Sequence, residues 1–486
     1  MTCLWDSIAP PGAAPTGKFH GRGSTVALAD LAAGSVFGAQ LEALRGRSVL
    51  IATREQLPTA LALIELDGVA RRMVLCTPDL SAEQLAGVAA TAEADAIVTD
   101  APGVHSNGNH THGNHTHGAN PHAGDAASSA ASLESLPRYV ALSQPVAAAV
   151  QRRASVATEW ILLTSGTTGT PKLVVHTLDS LGGALPTQTA GGGPSIWSTF
   201  YDIRRYGGLQ IYLRAVLSGS PLVLSSAGEP PLEFLNRAAA AGVTHISGTP
   251  SHWRRALMSG ETSVLAPQYV RLSGEVADQA LLDHLRMAYP QARIAHAFAS
   301  TEAGVAFDVD DGLAGFPREF IESARGGIEM KVVDGTLRIR SGRNAARYLG
   351  GAAKILASED GYVDTGDMVE LVDGRYYFRG RMGGVINVGG LKVYPEEVES
   401  VLNADPRVRM SLVRSRRNPI TGAVVVADVV LAEPSGPAEA QAPEVVKNDL
   451  LNACRRTLAA HKVPAMLRFV AALEFTAAGK LVRPNA

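Results

Sequence analysis

The chain has 486 residues, 46% hydrophobic and 19% charged, with 46 acidic against 44 basic residues. That balance supplies no global basic field, so nucleic acid and anionic membrane surfaces are not expected partners. Three cysteines, Cys3, Cys76 and Cys454, are too few and too scattered for a disulfide framework or a zinc cluster, and a reducing compartment is expected. The first residues lack a basic region followed by a long apolar segment, and no apolar run is long enough to span a bilayer. The expected location is therefore cytoplasmic.

Along the chain, "SVLIAT" (48–53), "RMVLCT" (72–77) and "AIVTD" (96–100) read as buried strands. The helical patterns "PTALALIELDGVA" (58–70) and "SAEQLAGVAATAEA" (81–94) separate them. This βαβαβ alternation predicts a parallel sheet covered by helices. The stretch at about 101–137 breaks the pattern with a Gly/Asn/Ser/Ala-rich insertion holding His105, His110, His112, His115, His117 and His122. A solvated, flexible surface insertion is the economical reading, and weak Zn or Ni binding the alternative.

"EWILLTS" (159–165) is a strand entering a loop, and "YVRLSG", "QALLDHLRMAYP" and "RIAHAFAS" form a strand–helix–strand unit over 269–300. From 326 to 379, "GIEMKVVDGTLRIRSG" and "VELVDGRYYFRG" carry Asp-Gly hairpin signals and predict a small antiparallel β-subdomain. A boundary is expected near Arg381–Met382, giving domains over 1–380 and 381–486. Beyond it, Pro395, Glu396 and Glu397 open a helix whose apolar stripe is Val398, Val401 and Leu402. "AVVVADVVLA" (423–432), a Pro/Ala-rich loop at 433–443 and a helix around 444–460 complete a small α+β domain.

The loop "SGTTGTPK" (165–172) is not a Walker loop, which needs four residues between its glycines. Its physics is still that of a polyphosphate cradle. Gly166 and Gly169 free the backbone so that N–H groups converge on oxygen. Thr164, Ser165, Thr167, Thr168 and Thr170 add hydroxyls, and Lys172 adds a point charge. This string resembles the phosphate-binding loop of the AMP-forming adenylating superfamily: acyl-CoA synthetases, peptide-synthetase adenylation domains and luciferases. "FASTEAG" (298–304), "GYVDTGD" (361–367), "FRGRMGGVINVGGLKVYPEEVE" (378–399) and "TAAGKLVRP" (476–484) resemble further segments of that family, in its order and spacing. The resemblance implies an α/β fold: a large N-terminal domain of helix-covered sheets with a small β-subdomain, then a small mobile α+β C-terminal domain.

It also implies two half-reactions, in which a carboxylic acid is activated by ATP to acyl-AMP and then transferred to a thiol. The thiol is expected to be that of CoA. The alternative is the phosphopantetheine of a carrier protein acting in trans, since no carrier domain follows Lys480. On this resemblance Ser165–Lys172 would hold the β,γ-phosphates, Thr301 the α-phosphate, and Glu302 a Mg²⁺ ion. Asp367 would bind the ribose with Arg381 in support, and Gly274, Glu275 and Phe298 would line the adenine pocket. Lys480 would bridge the acid and the α-phosphate. The hinge would lie at 381–384, where Gly383 and Gly384 replace the family's usual acidic residues, and Gly389 and Gly390 would face the pantetheine channel. Tyr201 and Arg204 in "FYDIRRYGG" (200–208), Gly248 in "HISGTP" (245–250) and Ala299 are expected at the acyl pocket. For Arg204 and Arg205 a structural ion pair is an equally open reading. The acid and the oligomeric state are not readable from the sequence.

Overall fold

The alternation read over 48–100 builds the sheet it predicts. Strand Ser48–Ile51 pairs in parallel with Arg72–Leu75 on one side and Ala96–Thr99 on the other. Arg72–Leu75 in turn pairs in parallel with Glu159–Thr164. All four residues of Ser48–Ile51 are buried, as expected for a parallel strand covered on both faces. Leu50, Val74, Ile97 and Ile161 pack with Leu85, Val88 and Ala89 of helix Ala82–Thr91 into one core. Each such aliphatic side chain removed from water contributes roughly 2 kcal/mol. Helix Gln56–Leu66 is buried on every side. Its Glu65 is accommodated because Ser35 Oγ (2.6 Å) and Val36 N (3.1 Å) donate to the carboxylate.

This structure, a computed structural model, describes residues 3–9, 15–100, 133–148, 155–164, 171–183, 185, 195–258, 262–350, 356–419, 421–432, 441–476 and 479–483. Most of the histidine-rich stretch lies outside the described residues, as do Ser165, Gly166, Thr167, Thr168 and Gly169 of the glycine-threonine loop. The chain divides into two compact units, Met1–Glu229 with Arg343–Leu356, and Pro230–Gly342 with Ala357–Ala486.

The first unit holds the seven-stranded sheet just described. Strand Arg138–Val140 is added parallel to Ala96–Thr99, Lys172–His176 antiparallel to Glu159–Thr164, and Arg347–Leu349 antiparallel to Lys172–His176. A second set of strands runs Trp197–Thr199, Leu222–Leu224, Lys18–His20 and Thr25–Ala27, with helix Tyr206–Leu217 following the first of them in sequence.

In the second unit, parallel strands His245–Gly248, Tyr269–Ser273 and Arg293–Ser300 alternate with helices Pro250–Met258 and Gln279–Ala288. Gly304–Val309 returns antiparallel to the last strand. The predicted β-subdomain is a five-stranded antiparallel sheet in the order Phe316–Pro317, Arg375–Arg381, Val363–Val372, Thr336–Ser341 and Ile328–Val333. Both Asp-Gly pairs make the expected turns: Asp334 and Gly335 have φ of 51° and 78°, and Asp373 and Gly374 have 47° and 81°.

The small C-terminal α+β region has its own core. Strands Val408–Asn418, Gly422–Leu431 and Met466–Phe469 form a sheet, against which Val398 and Leu402 of helix Pro395–Asn403 and Val446, Leu450 and Cys454 of helix Pro443–Thr457 pack. Pro395 and Pro443 each open their helix, where a missing N–H costs nothing. Among the described residues, no helix is long and apolar enough to cross a membrane.

Candidate active site

In the first unit, Thr164 and Lys172 face each other across the antiparallel pair of strands that flanks the glycine-threonine loop. Lys172 is the first residue of the returning strand, its ammonium 5.5 Å from the Tyr348 ring centre. Tyr201 is buried, with Gly207 against its ring, where a methyl group would sit 3.6 Å from the ring carbons.

Arg204 is fully buried, and its donors are consumed by the protein. Nε and Nη2 bind the Asp202 carboxylate at 2.8 and 2.6 Å; Nη1 reaches the Thr53 carbonyl, and Nη2 also the Arg54 carbonyl at 3.3 Å. The ion pair holds the Asp202 carboxyl below its ordinary pKa although burial pushes the other way. Of the two readings left open in the sequence, this geometry supports the structural one: Arg204 braces the 200–208 segment. Arg205 is likewise paired, with both oxygens of Asp79 at 2.9 and 2.8 Å.

The second unit gathers the remaining candidates. Strands Arg293–Ser300 and Gly304–Val309 form a hairpin whose register slips between Phe298 and Ala299. Thr301 and Glu302 lie at its tip, half-buried, in a turn held by Ala303 N donating to Ser300 Oγ at 2.9 Å. The Phe298 ring is stacked between Phe307 (5.9 Å) and Phe378 (5.1 Å, planes 10° apart), so it ties this hairpin to the antiparallel sheet. Gly248 ends a buried strand.

Asp367 and Arg381 are register partners on the Val363–Val372 and Arg375–Arg381 strands. Arg381 donates to the Thr365 carbonyl at 2.9 Å and lies 3.5 Å from Asp367 Oδ1. Burial raises the Asp367 pKa; the positive charges of Arg381 and Lys480 oppose the rise and the negative charge of Glu302 adds to it. Arg381, Lys480 and Glu302 are therefore each near enough to Asp367 for their charge to act on it.

Lys480 sits in a tight C-terminal hairpin. Phe475 and Leu481 are bridged, Thr476 N donates to the Lys480 carbonyl at 2.8 Å, and Gly479 N to the Thr476 carbonyl at 2.8 Å. The lysine side chain lies alongside Gly274: a methyl group at 274 would be 3.4 Å from Cε and 3.6 Å from Nζ. Gly274 has φ +85°, so the position favours glycine on conformation, while the lysine chain would make only ordinary contact with a methyl group there. Glu275 has its carboxylate occupied by Ser251 N (2.9 Å), Ser251 Oγ (3.0 Å) and Leu481 N (3.3 Å). It joins helix Pro250–Met258 to the Lys480 hairpin.

Gly389 and Gly390 form the two-residue turn of hairpin Ile386–Val388/Leu391–Val393, with φ of 58° and 87°. Gly389 N donates to the Thr421 carbonyl (2.9 Å) and Gly390 N to Asn387 Oδ1 (2.9 Å). Gly383 and Gly384 have no atom within 4 Å of where a β-carbon would stand. Among the described residues no cluster of three or more His, Cys, Asp or Glu side chains suits a metal. Mg²⁺ is usually held by one or two carboxylates together with substrate phosphates, and the Glu302 carboxylate beside the Thr301 hydroxyl is a donor set of that hard-oxygen kind.

Sequence reasoning held Thr249 only as part of the "HISGTP" stretch expected at the acyl pocket and missed His252; both touch the Lys480 hairpin directly: Thr249 Oγ1 donates to the Gly479 carbonyl at 3.0 Å, and the His252 ring fills the space a Gly479 side chain would need. No local signal marks them, because their partner lies about 230 residues away in the chain.

The model of the AMP-binding enzyme family matches residues 45–343, and that of the AMP-binding enzyme C-terminal domain matches 397–480. The mitochondrial acyl-coenzyme A synthetase ACSM5 of Homo sapiens is 38% identical over 139 residues, 28% of this chain and 23% of that enzyme. The 2-succinylbenzoate–CoA ligase of Salmonella typhimurium is 30% identical over 264 residues, 52% of this chain and 53% of that enzyme. The match thus spans about half or less of these relatives' own length. A crystal structure of the anthranilate CoA ligase AuaEII with anthranoyl-AMP superimposes with a TM-score of 0.76 at 18% identity, over 99% of this chain and 95% of that one. The Bacillus subtilis o-succinylbenzoate CoA synthetase with its acyl-adenylate gives 0.72 at 19% identity, over 99% and 97%. At such identities the likeness speaks for the fold.

Proposed function

Because this chain belongs to the AMP-binding enzyme family, we propose that it is an AMP-forming acid–thiol ligase that joins a carboxylic acid to CoA. In the first half-reaction a carboxylate oxygen attacks the α-phosphorus of ATP. The bond to the β-phosphate breaks, pyrophosphate leaves with its electron pair, and acyl-AMP remains. In the second, the CoA thiolate attacks the acyl carbonyl and AMP departs. A carboxylate is a poor acyl donor, and the mixed anhydride supplies the leaving group. The difficulty of the first step is positioning two anions and neutralising their charge.

The residues divide this work. The 165–172 loop, with Thr164 at its entry, holds the departing phosphates. Thr301 donates to the α-phosphate, and Asp367 accepts from the ribose hydroxyls with Arg381 beside it. Glu302 would hold Mg²⁺, which supplies charge neutralisation at the phosphates. Lys480 brings a flexible ammonium to the meeting point of acid and α-phosphate. Gly274 gives the Lys480 chain room along the nucleotide pocket, and Tyr201, Gly248 and Ala299 bound the acid. For the thiol step the 381–486 region turns about 381–384 and presents Gly389 and Gly390 to pantetheine. A cytoplasmic setting suits the reading.

The observation that carries it is the Lys480 side chain lying against Gly274 and close enough to Asp367 for its charge to be felt there. The test is a screen of acetate, benzoate, anthranilate and 2-succinylbenzoate for ATP–pyrophosphate exchange in the presence of Mg²⁺, followed by addition of CoA. An accepted acid should give exchange, then AMP and a CoA thioester, and Lys480→Ala should lower exchange at least a hundredfold. Formation of ADP in place of AMP, or exchange undiminished in Lys480→Ala, would overturn the reading. Thioester formed only on a phosphopantetheinyl carrier protein would replace CoA as the acceptor.

A further inference from the structure

The Lys480 hairpin is held at four points, by Thr249, His252 and Arg255 in and just before one helix and by Glu275. Thr249 Oγ1 donates to the Gly479 carbonyl at 3.0 Å. The His252 imidazole occupies the space beside Gly479, which has φ +69° and could not carry a side chain without striking that ring. The Arg255 guanidinium stacks on Phe475 at 4.6 Å. Glu275, which accepts from Ser251, also accepts from Leu481 N. Thr249 precedes helix Pro250–Met258, and Ser251, His252 and Arg255 belong to it. The contacts flank Lys480 on both sides in sequence, so they fix the backbone from which its side chain projects toward Gly274.

His252 is itself held rigidly. Its Nδ1 accepts from the Thr249 backbone N–H at 3.2 Å and lies 2.9 Å from Thr249 Oγ1, and the His252 backbone N–H donates to Thr249 Oγ1 at 3.0 Å. The Thr249 hydroxyl is thereby oriented by the histidine at its helix start and spends its proton on the Gly479 carbonyl. Burial keeps the imidazole neutral, with its pKa lowered to about 3. An uncharged ring can be desolvated against the glycine at little cost.

We propose that Thr249 and His252 are positioning residues for acid activation: they form a seat for the Lys480 hairpin that is made for the first half-reaction and vacated for the second. The inference rests on the ligase reading above. A residue that stabilises only the lysine-in arrangement lowers the barrier to adenylation and contributes nothing to thiol attack, which needs that arrangement undone. The seat therefore biases a two-state equilibrium toward the conformer that binds acid and ATP.

The experiment uses full-length Thr249→Val, Thr249→Ser, His252→Ala and Gly479→Ala proteins, with Lys480→Ala as reference. Three readouts are taken: ATP–pyrophosphate exchange with the acid identified in the screen, CoA transfer from that acid's chemically prepared adenylate, and hydrogen–deuterium exchange of the 471–483 segment without ligands. Thr249→Val, His252→Ala and Gly479→Ala should slow pyrophosphate exchange at least tenfold, leave transfer to CoA within twofold or raise it, and speed amide exchange in the segment. Thr249→Ser should restore most of the pyrophosphate exchange. Equal loss in both half-reactions, or unchanged adenylation in a Thr249→Val or His252→Ala protein while Lys480→Ala is inactive, would overturn the seat. Unchanged adenylation in Lys480→Ala itself would instead strike the ligase reading, and the seat's catalytic role with it, even where amide exchange confirms the contacts.

Discussion

At the scale of single residues, bonding capacity decides what a side chain is free to do. Arg204 has spent its guanidinium on Asp202 and two backbone carbonyls. Arg204→Ala should therefore act as removal of one half of a buried ion pair, leaving Asp202 uncompensated, and lower stability by about 3–5 kcal/mol. Urea unfolding followed by fluorescence measures this, and an unchanged midpoint would return Arg204 to the candidates for substrate contact. His252 gives a pH signature. Its pKa falls from 6.5 to about 3 through burial, with the Arg255 charge adding to the shift. The unfolded chain then binds a proton that the folded chain refuses, so the neutral ring's contribution is complete above pH 6.5 and is lost as pH falls from 6.5 toward 3. The slope of unfolding free energy with pH in that window should be steeper than in His252→Asn by up to one proton, about 1.4 kcal/mol per pH unit. These two residues also mark what a linear reading can see. Arg204 attracted notice through the resemblance of its segment to an acyl-pocket stretch, but its Thr53 and Arg54 partners lie about 150 positions upstream. His252 attracted none, because the glycine it abuts is remote in sequence.

At the scale of elements, legibility follows how local the physics is. The Asp-Gly hairpins, the helix led by Pro395 and the parallel strands were readable because turn dihedrals, the missing proline N–H and unbroken apolar runs are properties of neighbouring residues, whereas Pro443 was read into the loop before its helix. The Phe298 stack was not, since Phe307 and Phe378 come from other strands. "NVGGLKV" was read for a channel and is also a turn, with both glycines at positive φ. Gly390 has nothing within 4 Å of a would-be β-carbon. Gly390→Ala should therefore cost only the left-handed backbone penalty, about 1–2 kcal/mol, while Gly390→Asn is tolerated better. If pantetheine passes this turn, Gly390→Ala should also lower CoA transfer by more than tenfold with adenylation preserved. Thermal melts and the two half-reaction assays separate the contributions.

At the scale of the whole molecule, the chain returns on itself in a way no window of sequence announces. Residues 343–356 belong with the first unit because Arg347–Leu349 pairs with Lys172–His176, reinforced by Arg347 donating to Glu159 at 2.5 Å. The family segments were legible at this scale because they are short, polar and ordered along the chain, whereas the shape of a substrate pocket depends on side-chain packing that no linear motif carries. The three thiols lie in separate regions: Cys3 just before helix Leu4–Ile8, Cys76 after strand Arg72–Leu75, Cys454 in helix Pro443–Thr457. All three are buried, and burial lifts them to about 11, 12 and 11. Since only an exposed thiolate attacks a disulfide reagent, the native protein should leave Ellman's reagent uncoloured at pH 8 and titrate as three equivalents once denatured. Versions keeping one cysteine apiece would turn that chemistry into a clock for each region, timing when the C-terminal core loosens independently of the sheet that surrounds Cys76.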